Sequence, residues 1–144
     1  VSLIGINEYI EKLYNHHFEN DKITLRNKVE KVNDLISKHE EIIANPILEY
    51  INNNKKLKLI GKNIITNKNR APTVSFTARD KSSKELSKIL VANKIATRND
   101  NFYAWRCLKH LGIDPEDGVI RISMVHYNTN EDVDKLINAL EKIN

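Results

Sequence analysis

Two arginines lie at positions where a guanidinium could bind an anion. Arg121 stands inside the predicted strand Val119–Val125, on the face that it shares with Ser123. A guanidinium on a half-buried strand is costly unless it meets an anion, and its planar set of donors suits a carboxylate. Arg98 ends another predicted strand, Ile95–Arg98, next to a turn where ligand-binding groups often collect. The pattern alone leaves open whether Arg121 pairs with an aspartate of the chain or with a ligand.

A second candidate for binding chemistry is the basic stretch of residues 51–79, which contains no aspartate or glutamate. Such a stretch could attract phosphate backbones, but Phe76 is its only aromatic residue and it carries no nucleic-acid-binding motif. A solvated basic edge is therefore the favoured interpretation. The alternative is a free-standing basic module that binds nucleic acid or an acidic partner. The basic residues are Lys55, Lys56, Lys58, Lys62, Lys68, Arg70 and Arg79.

The other residue types that bind metals or act as nucleophiles are scattered. His16 and His17 are adjacent and cannot share a helix face, while His39 and His110 fall on separate predicted helices. We therefore expect structural roles for these histidines and no metal site. Cys107 is the single cysteine and follows an arginine, which could lower its pKa and make it a nucleophile. A small apolar filler is the favoured interpretation of this side chain.

The composition predicts one ordinary globular domain. The chain has 144 residues, a formal net charge of +4 and one cysteine, so an internal disulfide framework is excluded. No apolar run approaches the roughly 18 residues of a membrane span, and no secretory signal pattern is present. We therefore expect a soluble, cytoplasmic domain without membrane contact. The apolar period begins at once after Val1, so we also expect the chain to be part of something longer.

Hydrophobic periodicity predicts two long helices at the start of the chain. The first has its apolar stripe between Leu3 and His17. The second runs from about Thr24 to Ala44 and is capped by Asp21 or Thr24. A separate short helix, Ile47–Asn53, is expected to follow, because Asn45 can cap a helix and Pro46 suits its first position.

Strands and helices then alternate. The predicted fold class is α/β, an α+β sandwich with a small mixed, largely antiparallel sheet covered by helices mainly on one face and preceded by the two long helices. We expect residues 1–54 to form the helical lead-in and residues 55–144 to form the small C-terminal α/β domain. The predicted strands are 57–60, 73–78, 95–98 and 119–125, and the predicted helices begin at Ser82 or Ser83, span Phe102–Leu111, and follow Thr129 with Asp132 as its acidic capping partner.

Three segments resemble the C-terminal part of class V aminotransferases, in the cysteine desulfurase-like branch. They are residues 70–77 (RAPTVSFT), 95–104 (IATRNDNFYA) and 119–133 (VIRISMVHYNTNEDV). The resemblance implies the type I fold of pyridoxal-phosphate enzymes, in which a large domain carries the cofactor on a lysine and a small domain closes over it. This chain is similar to the small domain, so the lysine is expected before Val1. We expect the chain alone to bind no cofactor and to be inactive.

The same resemblance assigns candidate site residues. Arg121 falls on the arginine that clamps the substrate α-carboxylate, and Arg98 on a loop arginine near the substrate mouth. Phe102 and Tyr103 replace the histidine and the nucleophilic cysteine of desulfurases, which puts persulfide transfer by this loop in doubt. Tyr103 either lines the pocket or packs as an ordinary aromatic side chain. Arg70 is left open between the active site and surface pairing, while structural roles are favoured for His126 and Tyr127.

The parent implied by the resemblance is a pyridoxal-phosphate-dependent transferase or lyase. Its partners would be an amino-acid substrate, the large domain that this chain lacks and a second copy in a homodimer, with nucleic acid unlikely on the composition given above. Desulfuration, β-elimination and transamination all stay open as the reaction. A purely structural or oligomerisation domain, with its first helix against a partner, is a further alternative to the enzyme and the basic module.

Overall fold

Two long helices precede a four-stranded sheet that carries three shorter helices. The computed structural model describes residues 2–19, 23–66 and 69–143. Within these ranges no helix is both long and apolar enough to cross a bilayer. The elements are α1 (Ser2–His17), α2 (Leu25–Asn53), β1 (Leu57–Ile60), β2 (Thr73–Ala78), α3 (Ser83–Ala92), β3 (Arg98–Asp100), α4 (Trp105–His110), β4 (Val119–Ser123) and α5 (Asn130–Glu141).

The sheet has the strand order β1-β2-β4-β3, and each of the pairings is antiparallel. The predicted fold class is therefore confirmed, and the sheet contains no parallel pair among the described strands. Its alternate residues Val74, Phe76, Ile120 and Ile122 enter one hydrophobic core with α2, α3 and α5. The helices supply this core with the residues Ile43, Ala44, Ile47, Leu48, Ile51, Leu86, Leu90, Val133, Leu136, Ala139 and Leu140.

Helix α2 continues through Pro46, so the prediction of a break and a new short helix at Asn45 is wrong. Pro46 leaves the carbonyl of Ile42 without its helical donor, but both residues are exposed, so water can hydrate that carbonyl. The Asn45 side chain binds the loop instead of capping a helix. Its Oδ1 accepts from the Ile65 N–H at 2.8 Å and its Nδ2 donates to the Ile65 carbonyl at 3.0 Å.

The predicted caps hold where the structure describes them. Thr24 caps α2, and its hydroxyl accepts from the Asn27 N–H at 3.3 Å, whereas Asp21 lies outside the described residues. Ser82 and Glu85 form the expected capping box at α3. At α5 the carboxylate of Asp132 accepts from the backbone N–H of the cap residue Thr129 at 3.2 Å, as predicted.

Three element boundaries differ from the prediction. The strand expected at Ile95–Arg98 lies at Arg98–Asp100, where it pairs with β4. The helix expected from Phe102 begins only at Trp105, because Phe102 and the residue after it have positive φ angles that a right-handed helix excludes. Strand β4 ends at Ser123, before the predicted Val125, whose N–H is bound by a nearby asparagine side chain.

A polar cluster joins α1 and α2 to the loop between β4 and α5. The Tyr9 hydroxyl contacts Nε2 of His126, and Nε2 of His39 hydrogen-bonds to the Asn128 carbonyl at 2.9 Å. The Glu40 carboxyl interacts electrostatically with both imidazoles. Burial raises the pKa of the Glu40 carboxyl above its ordinary value, and the charges of His126 and His39 oppose that rise. His39 therefore has a structural contact, as predicted, and this contact joins two residues that are 89 positions apart in the sequence.

The Asn45 contact generates a stability prediction. Asn45→Ala removes two hydrogen bonds to Ile65, a buried residue whose backbone groups would lose their partners. We expect a loss of about 2 kcal/mol in the free energy of unfolding, measured by urea denaturation. Asn63→Ala, which changes an exposed asparagine of the same loop, is the control. Equal denaturation midpoints for the two variants would contradict the role given to Asn45.

Glu40 generates a prediction with a defined pH dependence. Its pKa is raised in the folded state, so the folded protein holds the proton more tightly than the unfolded chain. The contribution of Glu40 to the free energy of unfolding is therefore present at acid pH, and it is lost as the pH rises through the pKa that Glu40 has in the folded protein. We expect Glu40→Gln to raise the denaturation midpoint at neutral pH and to have no effect below about pH 4. The exposed Glu49→Gln is the control, and a lower midpoint for Glu40→Gln at neutral pH would refute the prediction.

Candidate anion-binding site

Strand register brings three polar side chains together on the sheet face opposite the helices. Arg121 lies opposite Ser75 of β2 on one side and opposite Arg98 of β3 on the other. Paired residues of antiparallel strands project from the same face, and neighbours along a strand project from opposite faces. Since Ile120 and Ile122 enter the core, Arg121 is directed away from it and is half-buried. The two predicted arginines therefore share one surface.

A shallow, open pocket of about 220 Å³ lies at these arginines. Its polar lining consists of two guanidinium groups and two hydroxyl groups, all of which can donate hydrogen bonds to an anion. Among the described residues that line it, none is an acid. The lining residues are Ala96, Thr97, Arg98, Arg121 and Ser123.

The electrostatics of this pocket are unbalanced. Arg98 and Arg121 are directly opposed on neighbouring strands, and like charges in that position repel. Within residues 2–19, 23–66 and 69–143, no carboxylate forms an ion pair with either guanidinium. The possibility that Arg121 pairs with an aspartate of the described chain is thereby excluded. A bound anion would relieve the repulsion and satisfy both groups.

Phe102 contacts Arg121, a neighbour that the sequence pattern does not predict. The Cζ atom of Arg121 lies 4.1 Å from the centroid of the Phe102 ring, in a cation–π arrangement. Phe102 has a φ of +51° and Tyr103 a φ of +61°, in the left-handed region that bulky residues rarely adopt. The turn residues at 99–101 were the available signal that the chain bends here, but they do not indicate where the ring points.

Close contacts to its neighbours hold the 101–104 loop in this conformation. The Asn101 side chain accepts from the Tyr103 N–H at 3.0 Å and donates to the Pro115 carbonyl at 3.3 Å. Gly118 packs against the backbone before the loop, because a Cβ there would stand 2.3 Å from the carbonyl carbon of Asp100. Only glycine allows this approach, so the loop is pinned to the segment that leads into β4.

The remaining predicted site residues lie outside the pocket lining. The Tyr103 side chain is fully exposed, so it does not pack as an ordinary core aromatic, and its substrate-binding role stays a prediction. Cys107 is exposed on α4, so the apolar-filler interpretation is wrong. Tyr127 is also largely exposed. The pocket brings together only Arg98 and Arg121 of the predicted set.

Arg70 is occupied by backbone contacts. Its Nη2 donates to the Thr73 carbonyl at 3.0 Å, and its Nη1 donates to the Lys62 carbonyl. Burial lowers the pKa of the Arg70 guanidinium from its ordinary value. The guanidinium therefore braces the segment before β2. This use of Arg70 gives no support to the basic module considered for residues 51–79.

Sequence comparison identifies relatives over most of the chain. The family model for aminotransferase class V matches residues 25–136. The aminotransferase-like protein FGM3 of Gibberella zeae is 33% identical over 111 residues, which cover 76% of this chain and 28% of that protein. A probable cysteine desulfurase of Halalkalibacterium halodurans is 31% identical over 109 residues, covering 76% of this chain and 25% of the relative.

Solved structures share the fold. The apo cysteine desulfurase of Thermococcus onnurineus superimposes with a TM-score of 0.69 at 23% identity, over 83% of this chain and 28% of that one. The cysteine desulfurase CsdA of Escherichia coli gives a TM-score of 0.63 at 19% identity, over 87% of this chain and 32% of that one. At these identities the likeness shows the fold alone.

The match covers very different shares of this chain and of its relatives. It covers about three quarters of this chain but only about a quarter of the length of the curated relatives. The expected resemblance to cysteine desulfurases is confirmed by the probable cysteine desulfurase among the relatives. Because the family model spans residues 25–136, which include the whole sheet and its paired arginines, the chain belongs to the aminotransferase class V family.

Proposed function

We propose that this chain is the carboxylate-binding small domain of a pyridoxal-phosphate-dependent enzyme that acts on an amino acid. Arg121 would bind the substrate α-carboxylate, and Arg98 would lie at the entrance. The observation that carries the proposal is the opposed pair of arginines, which lines a pocket and has no acidic partner among the described residues. Membership of the class V family supports an amino-acid substrate.

The geometry suits recognition of a carboxylate. Arg121 projects from a central strand that pairs on both sides, so its backbone is firmly held. A guanidinium can donate two parallel hydrogen bonds to one carboxylate, which fixes the orientation as well as the position of the ligand. Orientation of the substrate against the reacting group is worth several kcal/mol in enzymes. Arg121 would contribute this orientation without taking part in bond making.

The pocket lining does not fit pyridoxal phosphate by itself. Of its described residues, none is a lysine that could bind the cofactor aldehyde, and none is an acid that could pair with a pyridine nitrogen. In this proposal the cofactor is bound by the part of the enzyme that the relatives contain beyond the matched quarter. The contribution of this chain is substrate binding, and the predicted inactivity of the chain alone follows from the proposal.

The loop residues bear on the reaction. Tyr103 stands where the family resemblance places a cysteine, and Cys107 lies on α4 outside the pocket lining. We therefore propose that the enzyme does not pass sulfur to a cysteine of this loop. Elimination, transamination and sulfur removal by another acceptor stay compatible with the site. The homodimer and the cytoplasmic location stay predictions from the resemblance and the composition.

Substitution of Arg121 tests the proposed function in the full-length enzyme. We expect Arg121→Ala to lower kcat/KM for the amino acid roughly 30- to 4,000-fold, because a charged partner of the carboxylate is lost. This factor corresponds to a loss of about 2–5 kcal/mol of binding free energy. Arg121→Lys should lose less, since it keeps the charge but not the two parallel donors. The matched control is Lys58→Ala, an exposed basic residue of β1 outside the pocket.

The choice of substrate sharpens this test. Each amino acid is paired with the amine that lacks its carboxylate, such as L-alanine with ethylamine and L-cysteine with cysteamine. If Arg121 binds the carboxylate, Arg121→Ala should erase the preference for the acid over the amine and leave the reaction of the amine unchanged. An unchanged kcat/KM for the acid, or an equal loss for acid and amine, would overturn the assignment.

A further inference from the structure

We propose that Phe102 is a positioning residue that holds the Arg121 guanidinium ready for a carboxylate, an inference that rests on the function proposed above. The Arg121 Cζ lies 4.1 Å from the Phe102 ring centroid, which is close enough for the ring to cover the guanidinium. A cation–π contact attracts the charge to the ring and takes none of the five guanidinium N–H donors in a hydrogen bond to an oxygen atom, so these donors stay available to a ligand. The contact orients the group without consuming its hydrogen bonds.

The charge of the site makes such restraint useful. Arg98 is opposed to Arg121 across the β3–β4 pair, and its repulsion favours conformers in which the two guanidiniums diverge. The negative face of the Phe102 ring attracts the Arg121 charge and favours the conformer in which the guanidinium stays against the ring. With several rotatable bonds, an arginine otherwise loses much side-chain freedom when it binds a ligand. The ring imposes part of that order before the substrate arrives.

Backbone strain indicates that the position of Phe102 is not incidental. Phe102 and Tyr103 both have positive φ angles, which cost free energy for residues with large side chains. Phe102 does not belong to the hydrophobic core cluster, nor is it among the partly buried residues packed against that cluster. Core burial therefore does not offset the strain. The half-buried Phe102 ring contacts the Arg121 guanidinium.

The loop is held to this conformation from two sides. Asn101 binds the Tyr103 N–H and the Pro115 carbonyl, and Gly118 packs against the backbone of Asp100. These contacts set the backbone before any ligand is present. Phe102 is therefore placed by the fold, and Arg121 is placed by Phe102.

The first experiment measures the contact directly in the 144-residue chain. The NMR resonance of the Arg121 Nε–Hε group should be shifted upfield by the ring current of Phe102. We expect Phe102→Leu, which keeps the bulk but removes the ring, to abolish this shift, and Phe102→Tyr to retain it. Trp105→Leu removes another aromatic side chain near the loop and should leave the shift unchanged. An Arg121 resonance that does not differ between the wild type and Phe102→Leu would overturn the proposal.

The second experiment measures the consequence in the full-length enzyme. Phe102→Leu should raise KM for the amino acid roughly 3- to 10-fold, because Arg121 must then be ordered by the substrate, while kcat changes little. Phe102→Tyr keeps the aromatic ring and should therefore keep the wild-type KM. Phe102→Gly relieves the positive φ but removes the ring, so it should raise KM even where the loop is less strained.

The outcomes separate the two proposals. If Arg121→Ala has no effect on the acid substrate, the carboxylate-binding function itself fails. If Arg121→Ala impairs the acid substrate but Phe102→Leu leaves its KM unchanged, only the positioning role of Phe102 fails. If Phe102→Leu lowers kcat equally for the acid and for the amine substrate, the substitution disturbs the loop in general, and the positioning role is also refuted.

Discussion

Strand β4 pairs along both edges, and its alternation sends Ile120 and Ile122 into the core while Arg121 faces the opposite side. A slip of one residue in this register would bury the guanidinium among apolar helices and expose the two isoleucines. Either change would cost several kcal/mol, so the hydrophobic core itself selects the register. The helices that cover one face of the sheet thereby determine what stands on the other face.

The short strand β3 depends on the same register and extends its effect to the loop. Arg98 meets Arg121 only because β3 adds to the free edge of β4, and the chain must then turn sharply to reach α4. That turn places two residues in the left-handed region and is closed by Gly118 at the start of β4. The two arginines and the aromatic ring over one of them are thus consequences of one strand pairing.

Local signals in the sequence were sufficient for most of the helices and strands. Capping by Ser82 and Glu85 and the alternation around Phe76 are short-range patterns, and both were predicted correctly. Asn45 and Pro46 misled the prediction, because a contact with Ile65 outweighs their local preference for a helix start. Propensity is a weak guide wherever tertiary contacts of this kind compete with it.

The candidate site was predictable in its parts but not in its assembly. An arginine on a half-buried strand indicates an anion site, and the family resemblance drew attention to Arg98 and Tyr103. The opposition of Arg98 to Arg121 depends on strand order, which no local pattern encodes. The contact of Phe102 depends in addition on a left-handed backbone, for which a glycine or an asparagine would have been the usual signal. Long-range order therefore decides what the local patterns leave open.

The shared core has a mechanical consequence for α2. Five core residues between Ile43 and Ile51 join the second half of this helix to the sheet, and Asn45 ties the loop before β2 to the same stretch. Separating this part of the helix from the sheet would expose these residues to water, so the two would move together. The helix of 29 residues is roughly 43 Å long. A small displacement at its far end would therefore act as a lever that turns the arginine-bearing face of the sheet.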